Sequence, residues 1–139
     1  MKIMALSMLL LLIASPAFAR RFSKGSQHEL CSIRTVFISG NSDAADIMRQ
    51  RIERSTWMRL VRSQKGADGV IDVSQHTHTK HFPIDTQETS VSIEVWRGKD
   101  LDWSDSQTFG EGIFNSGAGS AVKILLDDLN RVAACRSER

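Results

Sequence analysis

The chain has 139 residues and a formal net charge of +2, with 24% charged and 41% hydrophobic side chains. That length and balance suit one domain around a single core. The charge is too near neutral, and the arginines too scattered, for the basic stripe that nucleic-acid binding requires.

The first segment in chain order, MKIMALSMLLLLIASPAFARR, reads as an export signal. Lys2 supplies a positive n-region, Ile3 to Ala14 an apolar h-region, and Ala17-Phe18-Ala19 a small-residue cleavage site. The apolar run falls short of the ~20 residues needed to span a bilayer, and no later run approaches that length. No cysteine follows the cleavage site, which argues against a lipoprotein anchor. The expectation is removal of residues 1–19 and release of a soluble chain, Arg20 to Arg139, into a bacterial periplasm or the medium. Residues 20–32 are polar and aperiodic and read as a loose leader. A single α+β domain is expected over 33–136.

Export gives meaning to the two cysteines, Cys31 and Cys135. In an oxidising compartment a lone pair favours one intramolecular disulfide. Closing so long a loop contributes about 4–5 kcal/mol in the chain-entropy model. Two buried thiols, or an intermolecular bridge, are the alternatives.

IRTVFISG (33–40) is β-branched and aromatic and stops at Gly40, so it reads as a strand. The helix after it begins at Ser42 as N-cap, with Asp43 in its first turn. Ala44, Ile47, Met48 and Ile52 recur at helical spacing. STWMRLVRS either continues that helix or forms a short strand at 57–62, and the strand is preferred. After the turn cluster QKGADG the period becomes two. Ile71 and Val73 point one way, while Asp72, Ser74, His76, His78 and Lys80 point the other. Beyond FPIDTQ, Val91, Ile93 and Val95 alternate with Ser90, Ser92 and Glu94. Such alternation marks a sheet covered on one face and wet on the other. A tight Arg97-Gly98-Lys99 turn leads into a strand at 100–109. The last element is amphipathic, with Val122, Leu125, Leu129 and Val132 on its apolar stripe. The predicted order is β-α-β-β-β-β-α, a two-layer α+β sandwich with two helices on one face of a mostly antiparallel sheet of four or five strands.

RTVFISGN running into a helix, GADGVIDV opening a strand and VWRGKDLDWSDSQTF before a C-terminal helix together resemble a group of small exported bacterial domains. The group includes the N-terminal domain of TolB and the core domain of the curli secretion lipoprotein CsgG. Ala67-Asp68-Gly69 and Trp103-Ser104 are the steps that carry the likeness, which spans roughly 33 to 133. The resemblance implies a non-enzymatic part in envelope assembly or protein contact, with another envelope protein as partner, and brings no catalytic residues. The missing lipoprotein cysteine, the histidine cluster and the cysteine pair depart from the group's pattern.

HTHTKH (76–81) holds three of the chain's four histidines. His76 and His78 share a strand face, spaced for one Zn²⁺ or Cu²⁺. If the hairpin turns around Asp85, Glu94 falls opposite His76 and completes a tripod, with His81 or Glu88 as substitutes. The plainer expectation is a wet strand with no cofactor. On it, Trp96 shares the polar face with Glu94 and His76; an exposed ring there would mark a contact surface, the alternative being a ring covered by its neighbours. Asp100, Asp102 and Asp105 read as an exposed turn and edge strand. The glycines of GEGIFNSGAGS lack phosphate-loop spacing. No Ser-His or Cys-His arrangement supports nucleophilic catalysis, so a non-enzymatic protein is expected.

Overall fold

The computed structural model describes residues 30–54, 57–81, 83–111 and 116–133. The export signal, most of the leader and Cys135 lie outside the described residues. Seven elements follow one another: β1 (Thr35–Ser39), α1 (Asp43–Glu53), β2 (Arg59–Leu60), β3 (Gly69–Lys80), β4 (Thr86–Arg97), β5 (Asp100–Gly110) and α2 (Gly117–Ala133). They build the predicted α+β architecture. The strands form one open sheet in the order β2-β1-β3-β4-β5. The long strands β3, β4 and β5 are antiparallel. The short β1 runs parallel to both β2 and β3. The strand expected at 57–62 shrinks to Arg59–Leu60, paired with Thr35 and Val36 of β1.

One face of the sheet carries the core. Ile71 and Val73 of β3 stand opposite Val95 and Ile93 of β4, and all four are buried. The helices roof this face with apolar stripes: Ala44, Ala45, Met48 and Ile52 from α1, and Ala118, Ala121, Val122, Leu125 and Leu129 from α2. α1 lies over β1, β2 and β3, and α2 over β4 and β5. Burying the Met, Ile, Val and Leu side chains among these stabilises the layer by about 1.5–3 kcal/mol each. The core also reaches back to Leu30, which is fully buried although it lies in the stretch read as a loose leader.

Local chemistry fixes where each element starts. Ser42 caps α1, its hydroxyl accepting from the Ala45 amide at 3.3 Å. Gln75 reaches from β3 to accept from the Ala44 amide at 2.9 Å. Both satisfy donors that a helix N-terminus leaves unpaired. Gly40 has φ +110, and a Cβ there would stand 2.4 Å from the Val73 carbonyl oxygen. Only glycine permits that turn out of β1.

Asp68, in the Ala67-Asp68-Gly69 step, ties the beginnings of β1 and β3 together. Its Oδ2 accepts from the amides of Thr35 at 2.8 Å and Arg34 at 3.0 Å, while its own amide donates to Thr35 Oγ1 at 3.0 Å. The hydrogen bonds from Thr35, then that from Arg34, hold the Asp68 carboxyl below its ordinary value of 3.8. A depressed carboxylate contributes stability above its unfolded pKa, and the contribution is lost as pH falls through the folded value. The Asp68→Asn variant is therefore expected to melt below the parent at pH 7, with the gap shrinking below pH 3.8. Thermal unfolding followed by circular dichroism across pH 2 to 7, a range around that carboxyl value, checks this. A pH-independent gap would count against it.

Candidate functional site

The histidine strand lies at the far end of β3, beyond the roof of helices. From His76 to Lys80 every residue is exposed, on both strand parities. Cross-strand pairs hold this end instead of a core. The hydroxyls of Thr77 and Thr89 are 3.0 Å apart. Glu88 is gripped from two sides, by Lys80 Nζ at 2.5 Å and by His78 Nε2 at 3.2 Å. His81 Nδ1 meets Asp85 Oδ1 at 3.2 Å across the turn.

The register corrects the expected tripod. Lys80 pairs with Thr86, so the hairpin turns through residues 81–85 and is not centred on Asp85. That moves every partner by four residues. His76 stands opposite Ser90, His78 opposite Glu88, and Glu94 opposite Asp72. Glu94 keeps the predicted face, but it is four residues along the strand from His76, about 13 Å. Among the described residues no group of three or more His, Cys, Asp or Glu is placed to hold a metal ion. Glu88, the carboxylate that does stand beside His78, is already engaged by Lys80. That lysine, and then His78, hold the Glu88 carboxyl below its ordinary value of 4.5.

The uncovered face of β3, β4 and β5 is the other candidate. Its middle is a lattice of small polar groups, with Ser74, Ser92 and Ser106 in one row and His76, Ser90 and Thr108 in the next. Ser90 and Thr108 hydroxyls lie 2.7 Å apart. Towards the other end the character changes. Asp72 and Glu94 face each other directly, an unfavourable like-charge pair. Next to them a row of Val70, Trp96 and Leu101 crosses three strands. Trp96 is half-buried, and its Nε1 donates to Glu94 Oε2 at 3.0 Å. Leu101 is 40% exposed.

Two polar features were not legible in the sequence. Asp102, read as exposed, is 6% exposed. A bulge opposite Val95 and Trp96 makes it the extra residue of β5 and turns it inward. There it accepts from Arg97 Nε at 3.0 Å. Thr89, buried on the covered face, donates to Glu111 Oε1 at 3.0 Å. The tight turn between Arg97 and Asp100 was the available signal for the first. Nothing local signals the second. Cys31 is half-buried, with Sγ 2.7 Å from the Ala133 carbonyl oxygen, two residues before Cys135.

Comparison with protein-family models finds no match. Comparison with curated protein sequences finds none either. Solved structures are similar at the level of fold. A PelC dodecamer from Paraburkholderia phytofirmans is 14% identical, with TM-score 0.51 over 70% of this chain and 88% of that one. The hypothetical protein CT253 from Chlamydia trachomatis is 9% identical, with TM-score 0.52 over 74% of this chain and 99% of that one. Lipoprotein GNA1162 from Neisseria meningitidis is 12% identical, with TM-score 0.46 over 73% and 99%. The two neighbours with a TM-score above 0.5 are bacterial proteins, and CT253 is covered almost end to end.

The two-sided grip on Glu88 is directly measurable. Its carboxyl is expected to titrate below 4.5 in the parent and to move up towards that value in Lys80→Ala, followed by carboxyl NMR. An unchanged midpoint in the variant would show that Lys80 does not hold it.

Proposed function

We propose that the protein is an exported, non-enzymatic module of the bacterial envelope that works by protein contact through its open sheet face. The observation that carries this reading is the apolar row Val70, Trp96 and Leu101 on a face that neither described helix covers. Large apolar side chains rimmed by polar ones mark contact surfaces. The facing Asp72 and Glu94 carboxylates beside Trp96 suit an arginine or lysine of the partner, which would relieve the repulsion and lie against the indole. Export rests on the N-terminal signal. It agrees with the fold shared with small bacterial domains and with the finding that no described helix is long and apolar enough to cross a membrane. The PelC neighbour is a dodecamer, and we extend protein contact to include self-association here.

A Zn²⁺ or Cu²⁺ site on His76 and His78 would need a third ligand from outside the described residues. Pairing of Cys31 with Cys135 is part of the proposal, supported by the approach of Cys31 to Ala133. In protein denatured without reductant, neither cysteine is expected to react with an alkylating agent. Prior reduction should expose both and lower the melting temperature of the folded chain. Labelling without reduction would refute the pairing.

A photo-crosslinking residue at Ser106, on the open face, tests the contact surface in the source cell. It should trap a discrete envelope protein, and Trp96→Ala should abolish the adduct while leaving the circular dichroism unchanged. The same probe at Lys123, on the helical layer, should trap nothing. Equal trapping at Lys123 would refute the assignment of the open face.

A further inference from the structure

The charged residues separate towards opposite edges of the sheet. Residues 34–68, which build β1, α1 and β2, hold seven arginines and lysines against four carboxylates. Residues 100–133, which build β5 and α2, hold six carboxylates against two bases. Some of these are consumed locally, as Asp46 is by Arg49 and Asp128 by Arg131. The remainder keep the contrast. No ion pair engages Arg59, Arg62 or Lys65 at the β2 edge, nor Asp100, Asp105 or Asp127 at the β5 side, among the described residues. Arg59, Arg62, Lys65, Asp100 and Asp127 are exposed.

The two groups do not neutralise each other within one molecule. Four strand spacings separate β2 from β5, about 19 Å at ~4.8 Å each. That is more than twice the Debye length of ~8 Å at physiological ionic strength. Each edge therefore presents its own charge outwards. The β5 edge also leaves a strand of 11 residues with one side unpaired by any described strand, a surface that proteins cover or guard. Like charges oppose a β5-to-β5 contact, whereas the basic edge of another copy complements β5.

We infer that copies of this chain associate head-to-tail, the basic β2 edge of one against the acidic β5 edge of the next. The inference rests on the reading of the protein as a contact module and names its partner at the edges: a second copy. A contact between two different patches repeats from copy to copy and generates a ring or a filament. It also leaves the open faces of successive copies uncovered for another partner.

The test is sedimentation velocity of the processed, exported chain at low and high salt, with two double variants. Asp100→Lys/Asp105→Lys makes both edges basic, and Arg62→Glu/Lys65→Glu makes both acidic. The parent should form species larger than a monomer at low salt that dissociate as salt rises. Each variant alone should dissociate at least about tenfold more readily, since like charges then meet across the contact. Mixing the two variants should restore association through the edges that remain complementary. Circular dichroism confirms that each variant is folded, and a misfolded one is replaced by Asp127→Lys or Arg59→Gln. A parent that is monomeric at every salt concentration would overturn the inference while leaving the open-face crosslink at Ser106 intact. Loss of association in the β5 variant alone, or association indifferent to salt, would also overturn it.

Discussion

Everything in this molecule depends on a sheet that is roofed on one side only. Alternate residues of β3 and β4 bury Ile71, Val73, Val91, Ile93 and Val95 under the helices. Their neighbours in sequence are turned to water by the pleat. A slip of one residue would exchange the two sets, so the apolar face fixes the parity of the whole sheet. The polar face inherits its composition from this constraint. Asp72, Ser74, His76, Ser92, Glu94 and Trp96 share a surface because the parity that buries their neighbours leaves them on it.

The roof is shorter than the strands beneath it. The β3–β4 hairpin continues past Gln75, where β3 is exposed on both of its faces. There the stabilising currency changes from buried area to side-chain pairs, each contributing about 0.2–1 kcal/mol. Glu88 between Lys80 and His78 belongs to that local economy. The same residues look like metal chemistry in the sequence and like hairpin maintenance in the structure. At the other end of the sheet the polar groups take structural posts. Asp68 anchors two strand starts and Asp102 fills a bulge against Arg97. What remains without an evident structural duty is the Trp96 row and the facing carboxylates of Asp72 and Glu94. The contact reading is therefore placed there.

The fold was largely legible in the sequence because its signals are short-range. Helical spacing in 44–52 and 122–132, the two-residue period of 70–74 and 90–95, and the Ser42 cap each act within a few neighbouring residues. The candidate site was less legible. Its face was correctly read from parity, yet its membership depended on where the hairpin turned. Residues 81–85 offer several places for a turn, and moving its centre displaced Glu94 from His76 to Asp72. Asp102 was misread for a similar reason, since a bulge inserts one residue and reverses the parity from which exposure is judged.

The sequence by itself determined the number and type of elements and, away from the β5 bulge, which side chains share a face, because periodicity and composition are properties of the chain. Tertiary structure decided the strand order, the pairing register, the burial of Asp102 and Leu30, and the placement of opposite charges at opposite edges. Those follow from which strands become neighbours. Strand neighbours are chosen by the packing of distant segments against one roof, a choice that no local pattern in this chain encodes.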